Sequence, residues 1–466
     1  MFPRNVATPR PRPSTAAPAV RRAPLLFLAA LAGARAVAAQ GTLDGFVADA
    51  LRASRTQRQE QLAVARADAQ VSEARGRFLP SATVNARYSD VSGHVVDIGS
   101  LINPAFGALN QLMHANNFPT NLDLRLPLRQ ETTVRLAQPL FQPAVVAAYQ
   151  ISTNLRDAQN AERGAATRQL AHDLRVAYLT SRKAKQAVAI YAASMPLADE
   201  AVRLADRLVQ NGKATPDALF RARAARSELA QRQSDAQRQL VDATEYVNLL
   251  AERPLDAPLP EFDDAALGID SLPALEDALA HARAAREERQ QLASATGAAR
   301  AQRRLALSSF LPAISVALDY GFQGNEYRFA RDADFTTTSV VLSWNLFNGA
   351  QDAARAHQAG YEAERLASQA SVVDRQIELQ VRAAHQAAVV ARAAIATADD
   401  RVVAARRSWE LVRRRYEEGM VPQVDLLDVR AALTAAELNR LITAYDYFTR
   451  RVELDRAAAL YPRTLP

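Results

Sequence analysis

The chain has 466 residues, no cysteine and a formal net charge of +7. Six of its 57 basic residues, and none of its 50 acidic residues, fall within residues 1–40, so the remainder is nearly neutral and a nucleic-acid-binding function loses its main support. The absence of cysteine excludes disulfides, thiolate metal sites and an amino-terminal lipidated cysteine.

The first forty residues have the order of a secretory signal. Arg21 and Arg22 precede an apolar run at residues 24–31, and small residues follow as far as Ala39. The apolar run is too short to cross a bilayer. We therefore predict a signal peptide at residues 1–38 and an exported protein; the alternative is a disordered tail rich in proline and arginine. The long stretch ahead of Arg21 leaves the true start site open.

The next segment changes from helical to extended patterning. Its content of Ala, Arg, Gln and Glu predicts a helix from about Leu43 to Gly76. From residue 81 onward, apolar and polar residues alternate, which predicts a strand at about 79–89 with one apolar and one polar face. A weaker alternation predicts a second strand at about 131–141. The connection between them, residues 90–130, is long, and it is either a flexible loop or a cover over an opening at that end of the strands.

A long helix is predicted from Ala144 to Gln210, with a bend at Pro196. Gly212 then provides a helix-ending residue, and Thr215 and Pro216 mark the start of a return helix that runs to about residue 250. A connection this short predicts a helical hairpin. Residues 254–273 contain four prolines and are predicted to be a linker.

The second half of the chain repeats the first. The segment Phe78–Val84 returns 232 positions later as Phe310–Val316, each copy beginning Phe-Leu-Pro. Strands are predicted at about 311–322 and 336–347. We therefore predict two repeats, at residues 39–253 and 274–466, on either side of the linker.

The second repeat also ends in a predicted helical hairpin. Residues 350–416 contain no proline, and as a helix they would extend roughly 100 Å. Their small apolar residues recur every three or four positions, which is typical of coiled-coil packing. Gly419 and Pro422 end this helix, and a return helix is predicted over residues 424–459.

The predicted strands are suited to a membrane. Each has about ten residues, the length that a tilted strand needs to cross a bilayer, and aromatic residues lie towards the strand ends. The helices have apolar stripes that pair with one another, so little remains to cover the apolar strand faces. The alternative is a pair of ordinary hairpins in a soluble sheet. In hydrocarbon, four strands are too few to close a barrel, so several chains would have to contribute.

Together these features resemble the outer membrane efflux protein family, the TolC-like channels. The resemblance rests on the Phe-Leu-Pro segment in both halves, on the segment 346–349 after the fourth strand, and above all on the segment 415–428, which reads Arg-Tyr-Glu-Glu-Gly-Met-Val-Pro-Gln-Val-Asp-Leu-Leu-Asp. It implies a mainly α chain with a transmembrane β part. Three such chains would form a trimer with a 12-stranded β-barrel in the outer membrane, continued by an α-helical barrel through the periplasm.

The resemblance also implies a function and partners. The protein would be a passive exit duct of a tripartite efflux or type I secretion system, in contact with a periplasmic adaptor, an inner-membrane transporter and outer membrane lipid. The alternative is an exported, soluble coiled-coil scaffold or adaptor of the periplasm. The six histidines lack metal-ligand spacing and no catalytic motif is found, so we predict no enzyme activity, cofactor or metal site. The exported substrate and the class of pump are not specified.

By position, the resemblance assigns roles to five residues. Gly212 and Gly419 correspond to tip glycines that contact the adaptor, and Tyr416 to a tyrosine that helps hold the closed entrance together. Asp425 and Asp428 correspond to acidic rings at the periplasmic mouth. Three copies of each would crowd like charges around a narrow pore and attract cations. For Asp425, an N-cap role is equally compatible with the sequence.

Two positions depart from the family pattern. Where the family can place an aspartate partner for the gate tyrosine, this chain has Ala218, with Asp217 one position earlier. Where a basic gate residue can stand, it has Val421. The network that closes the gate is therefore not specified by the sequence.

Overall fold

The computed structural model describes residues 42–90, 96–122, 125–126, 129–262, 271–324, 329–331 and 333–460. The expected signal peptide lies outside these residues. The first half contains α1 (Leu43–Ala53), α2 (Arg55–Gly76), β1 (Ser81–Tyr88), β2 (Val96–Asp97), α3 (Ile98–Leu112), β3 (Arg125–Leu126), β4 (Gln130–Phe141), α4 (Pro143–Gln210) and α5 (Pro216–Leu250). The second half contains α6 (Leu275–Ala285), α7 (Glu287–Leu307), β5 (Ala313–Gly324), β6 (Asp334–Ser343), α8 (Gln351–Glu417) and α9 (Gln423–Ala457). Among the described helices, none is both long and apolar enough to cross a membrane.

The helix predicted from Leu43 to Gly76 is divided at Ser54. Ser54 has an extended backbone, and its hydroxyl accepts a hydrogen bond of 3.3 Å from the Gln57 amide, so it caps α2. The same break recurs 232 positions later, where Arg286 is extended between α6 and α7. The duplication seen in the sequence is therefore also present in the backbone.

The long helices form two hairpins. Helix α4 has 68 residues and α8 has 67, so each is roughly 100 Å long. Helices α5 and α9 have 35 residues each. Helix α5 returns antiparallel along α4, and α9 returns antiparallel along α8. Pro196 lies inside α4, which continues through it. Helix α9 also packs against α4, and α7 packs against both α4 and α8.

Two equivalent apolar clusters lie where the short helices meet the long ones. In the first half, Val47 and Leu51 of α1 pack against Leu174 of α4. In the second half, Leu279 of α6 packs against Val381 of α8 and Leu454 of α9. A further cluster joins the halves, with Leu179 of α4 against three residues of α9, which are Leu441, Tyr445 and Val452.

The four main strands form one antiparallel sheet in the order β1-β4-β5-β6. The register aligns Val84 with Val134 and Val134 with Tyr320, which gathers the apolar residues of the strands on one face. This face is uncovered, because Val84 is 70% exposed and Val340 is 71% exposed. Strands β1 and β6 are the two edges of this sheet. In the described part of a single chain, the sheet therefore presents an uncovered apolar face and two edge strands.

The observed strands differ from the predicted bounds mainly at β6. This strand was expected at about 336–347 but ends at Ser343. The Trp344 indole donates a hydrogen bond of 3.1 Å to the Phe310 carbonyl, and the Asn345 amide donates one of 2.8 Å to the Asp352 carboxylate at the start of α8. These contacts direct the chain away from the sheet and towards the helix.

The connection 90–130 is folded over much of its length. Helix α3 lies within it, and the two-residue strands β2 and β3 pair with each other at its base. Asn110 fixes the return of the chain, because its side chain accepts a hydrogen bond from the Phe118 amide (3.0 Å) and donates one to the Phe118 carbonyl (2.7 Å). Residues 96–122 of the connection therefore have regular structure, and a cover over the opening at that end of the strands stays a prediction.

Candidate functional site

The two hairpin tips have the same local structure. At the end of α4, the Gly212 amide donates to the Val209 carbonyl (3.0 Å) and the Lys213 amide to the Leu208 carbonyl (2.8 Å). At the end of α8, the Gly419 amide donates to the Tyr416 carbonyl (3.0 Å) and the Met420 amide to the Arg415 carbonyl (2.8 Å). Both are Schellman motifs, which end a helix by using its last free carbonyls.

Glycine is favoured at both tips by backbone conformation. Gly212 has φ = +67° and Gly419 has φ = +75°, a region that residues with a Cβ atom rarely adopt. A Cβ atom added at either position would meet no other atom within 4 Å. The tip surfaces are therefore open around both glycines.

The acidic residues lie just beyond the second tip. Helix α9 begins at Gln423 with Pro422 as its N-cap, so Asp425 occupies the third helical position and the N-cap alternative for it is wrong. A carboxylate in the first turn still interacts favourably with the helix dipole. Asp428 follows one turn later on the same face, and both residues are exposed. Within the described part of the chain, neither forms an ion pair.

Tyr416 lies in the last turn of α8 and is half-buried. Burial raises the pKa of its hydroxyl above the ordinary value. The sequence has Ala218 where the family can place an aspartate partner for this tyrosine, with Asp217 one position earlier. In the structure, Asp217 contacts Thr215 and pairs with Arg221 at 3.5 Å, both close to it in sequence.

Tyr416 borders a cleft between the two hairpins. The cleft has a volume of about 260 Å³ and is lined by residues of α4, α5, α8 and α9. Its wall is largely apolar and includes Tyr191, Leu197, Leu204, Leu229, Trp409 and Leu426.

The sequence gives no indication of a role for one basic residue of the site, Arg430 of α9. Its guanidinium lies 5.4 Å from the ring centre of Trp409 on α8, and it donates a hydrogen bond of 2.9 Å to the Ser194 hydroxyl on α4. Ser194 itself is buried. Sequence spacing within α9 carries no information about a contact to α4, 236 positions away.

The polar face of the sheet carries two ion pairs across neighbouring strands. Arg87 of β1 pairs with Glu131 of β4 at 2.8 Å. Arg135 of β4 makes two hydrogen bonds, of 2.7 and 3.0 Å, to the Asp319 carboxylate of β5. In both pairs a base stands opposite an acid in the register, so these charges are balanced, unlike those of the acidic residues on α9.

Comparison with known proteins identifies the second half. Residues 274–460 match the model of the family described as "Outer membrane efflux protein". These residues belong to the outer membrane efflux protein family. A curated relative, Protein CyaE of Bordetella pertussis, is 31% identical to this chain over 188 residues, which is 40% of this chain and 38% of that protein.

Solved structures extend the similarity to both halves. The chain is similar to CusC (TM-score 0.74, 16% identity, 89% of this chain and 91% of the other), VceC of Vibrio cholerae (0.71, 16%, 89% and 95%) and the open state of MtrE of Neisseria gonorrhoeae (0.72, 19%, 90% and 89%). All three are named as outer membrane proteins or transmembrane channels. The described fold is therefore that of these channels over about nine-tenths of the chain, and the predicted fold class, mainly helical with a smaller β part, is confirmed.

Proposed function

We propose that the protein is the outer membrane exit duct of a tripartite efflux or type I secretion system. The observation that carries this proposal is the four-stranded sheet, which leaves an apolar face and both edge strands uncovered in a single chain. In hydrocarbon every backbone polar group needs a partner, so such a sheet must be completed by identical copies. Three copies give the 12-stranded barrel that the family resemblance implies.

The long hairpins would continue the barrel as a helical tunnel. Helices of roughly 100 Å extend well beyond the thickness of a bilayer. The tunnel would reach through the periplasm, and the tips around Gly212 and Gly419 would meet a periplasmic adaptor bound to an inner-membrane transporter. The two tips share one backbone motif and open surroundings, which supports equivalent docking of both.

The periplasmic mouth would be the selective part of the pore. Asp425 and Asp428 are exposed and unpaired within the described residues, and three copies would form two acidic rings that favour cations. The ion pairs Arg87–Glu131 and Arg135–Asp319 balance the charge of the strand region. Tyr416 would contribute to closure by its packing between the hairpins, since Asp217 is engaged elsewhere.

An experiment that does not require knowledge of the cargo separates the duct from a soluble periplasmic scaffold. The duct should fractionate with outer membranes, migrate as a heat-sensitive trimer and conduct ions in planar bilayers. A scaffold should be released by osmotic shock and produce no conductance. Release together with the absence of conductance would refute the proposed function.

A further inference from the structure

We propose that the cleft between the hairpins is a binding site for an amphipathic monoanion, a compact apolar molecule that carries one carboxylate or sulfonate held by Arg430. This inference is independent of the exit-duct function, because it uses only the packing of α4, α5, α8 and α9 within one chain.

Arg430 has hydrogen-bonding capacity that the described residues do not use. Its Nη2 donates to Ser194, and its guanidinium lies over the ring of Trp409. Its Nε is buried and has no acceptor among the described residues. A guanidinium has five N–H donors and binds carboxylates in a bidentate manner. Arg430 therefore retains donors that suit an oxyanion.

Arg430 has no carboxylate within 4 Å in the described chain. The carboxylate that interacts with it electrostatically, Glu437, pairs with Arg406 at 3.5 Å. Burial lowers the pKa of the Arg430 guanidinium, and an anion bound at this position would offset that cost.

The acidic residues at the rim of the cleft already have basic partners. Glu200 pairs with Arg203 at 2.6 Å and with Arg207 at 3.2 Å. Glu228 pairs with Arg232, and Glu417 lies 3.7 Å from Arg413. Three arginines of the described chain line the cleft, which are Arg232, Arg413 and Arg430. The first two are engaged in these ion pairs, so Arg430 is the one that an incoming anion can neutralise.

The size and polarity of the cleft suit a small aromatic molecule. Its volume of about 260 Å³ lies just below the usual range for small-molecule sites. The aromatic rings of Trp409, Tyr416 and Tyr191 provide flat apolar walls. The site therefore suits a one-ring or two-ring molecule, with the ring against these walls and the anionic group at Arg430.

The site can be tested with the probe 6-bromo-2-naphthoate, whose bromine quenches tryptophan fluorescence. The chain has two tryptophans, Trp344 and Trp409, so the variant Trp344→Phe reports from the cleft alone. The full chain in lipid nanodiscs should show saturable quenching of Trp409. Empty nanodiscs provide the partition control, and the uncharged methyl ester of the probe tests the need for charge.

Arg430→Gln should weaken binding of the acid roughly tenfold or more, the size expected for a hydrogen bond to a charged group, and should leave binding of the ester unchanged. Arg440→Gln is the matched control, because Arg440 lies on the same helix but is exposed and pairs with Asp399 at 2.7 Å; it should bind the acid normally. If Arg430→Gln does not fold, Ala201→Leu, which fills the cleft from α4, should abolish binding of acid and ester alike.

Three results would overturn the proposal. These are equal affinity for the acid and the ester in the Trp344→Phe protein, unchanged affinity for the acid in a folded Arg430→Gln variant, and an absence of saturable quenching. Normal binding of the acid to Ala201→Leu would also contradict the site, because the added side chain would occupy the same volume.

Discussion

Arg168 of α4 and Glu287 of α7 form a buried ion pair that joins the two halves of the chain. The Arg168 Nη2 lies 2.7 Å and the Nε 3.1 Å from the two carboxylate oxygens, and the side chains are only 4% and 3% exposed. Gly164, one turn earlier on α4, makes room for this contact, since a Cβ atom there would lie 3.0 Å from the Glu287 Cγ.

We predict that Glu287→Ala lowers the free energy of unfolding by about 3–5 kcal/mol, because it removes the carboxylate that contacts the buried Arg168 guanidinium at two nitrogens. Chemical denaturation of the purified protein measures this change. The control Glu200→Ala removes an exposed carboxylate and should cost less than about 1 kcal/mol. A loss in Glu287→Ala as small as in the control would show that the ion pair does not hold the halves together.

Replacement of Gly419 should impair docking at the tip while leaving the rest of the fold and the trimer intact. We predict that Gly419→Val introduces local strain of about 1–2 kcal/mol at φ = +75° and a bulky group at the docking surface, so export fails while trimers persist. Gly419→Asn should be milder, since asparagine tolerates this backbone region. Export is measured as survival of the native host in toxic compounds to which this gene confers resistance. Gly76→Val, in open surroundings at the end of α2, is the control, and full export by Gly419→Val would contradict adaptor docking at this tip.

The acidic rings can be tested by neutralisation. We predict that Asp425→Asn together with Asp428→Asn reduces the preference for cations, because the trimer loses two rings of unpaired charge. Reversal potentials across a salt gradient in planar bilayers measure the effect. Asp242→Asn removes an exposed aspartate that already pairs with Arg238 and should have little effect. Unchanged selectivity in the double variant would place these aspartates away from the lumen.

Tyr416 should make the tip sensitive to alkaline pH. Its pKa is raised in the folded protein by burial, so the folded state holds the proton more tightly than the unfolded state. Its contribution to stability is therefore complete below about pH 10, the ordinary tyrosine value, and is lost as pH rises through the folded pKa. The melting temperature of the wild type should fall more steeply above pH 10 than that of Tyr416→Phe. Parallel curves for the two proteins would show that Tyr416 is not desolvated in solution.

The sequence predicted the elements of the fold more reliably than the contacts between them. Period-two alternation and the repeated Phe-Leu-Pro segment located the four main strands, and glycine followed by proline located the hairpin tips. The end of β6 was misplaced, because the contacts of Trp344 and Asn345 depend on Phe310 and Asp352 rather than on local alternation. Helix α3 was missed because the long connection gave no clear periodic signal.

In the candidate site, too, local features could be predicted from the sequence and long-range contacts could not. The tip glycines have the positive φ values that their positions after helix ends suggest. The role of Arg430 could not be predicted, because it depends on Ser194 of α4 and Trp409 of α8, which the fold brings to α9 from distant parts of the chain. The same limit applies to Arg168 and Glu287, which are 119 positions apart.

Pairing of β1 with β6 between chains is the central requirement of the exit-duct proposal, and cysteine cross-linking tests it most directly. The chain has no native cysteine. Within one chain these edge strands are separated by β4 and β5, about 14 Å across the sheet, which is too far for a disulfide. Asn85→Cys on β1 should be combined in turn with Thr337→Cys, Ser339→Cys and Val341→Cys on β6, all on the polar face. We predict covalent dimers and trimers on non-reducing gels for at least one combination and none for Asn85→Cys alone, whereas monomers in all three combinations would contradict closure of the barrel by identical copies.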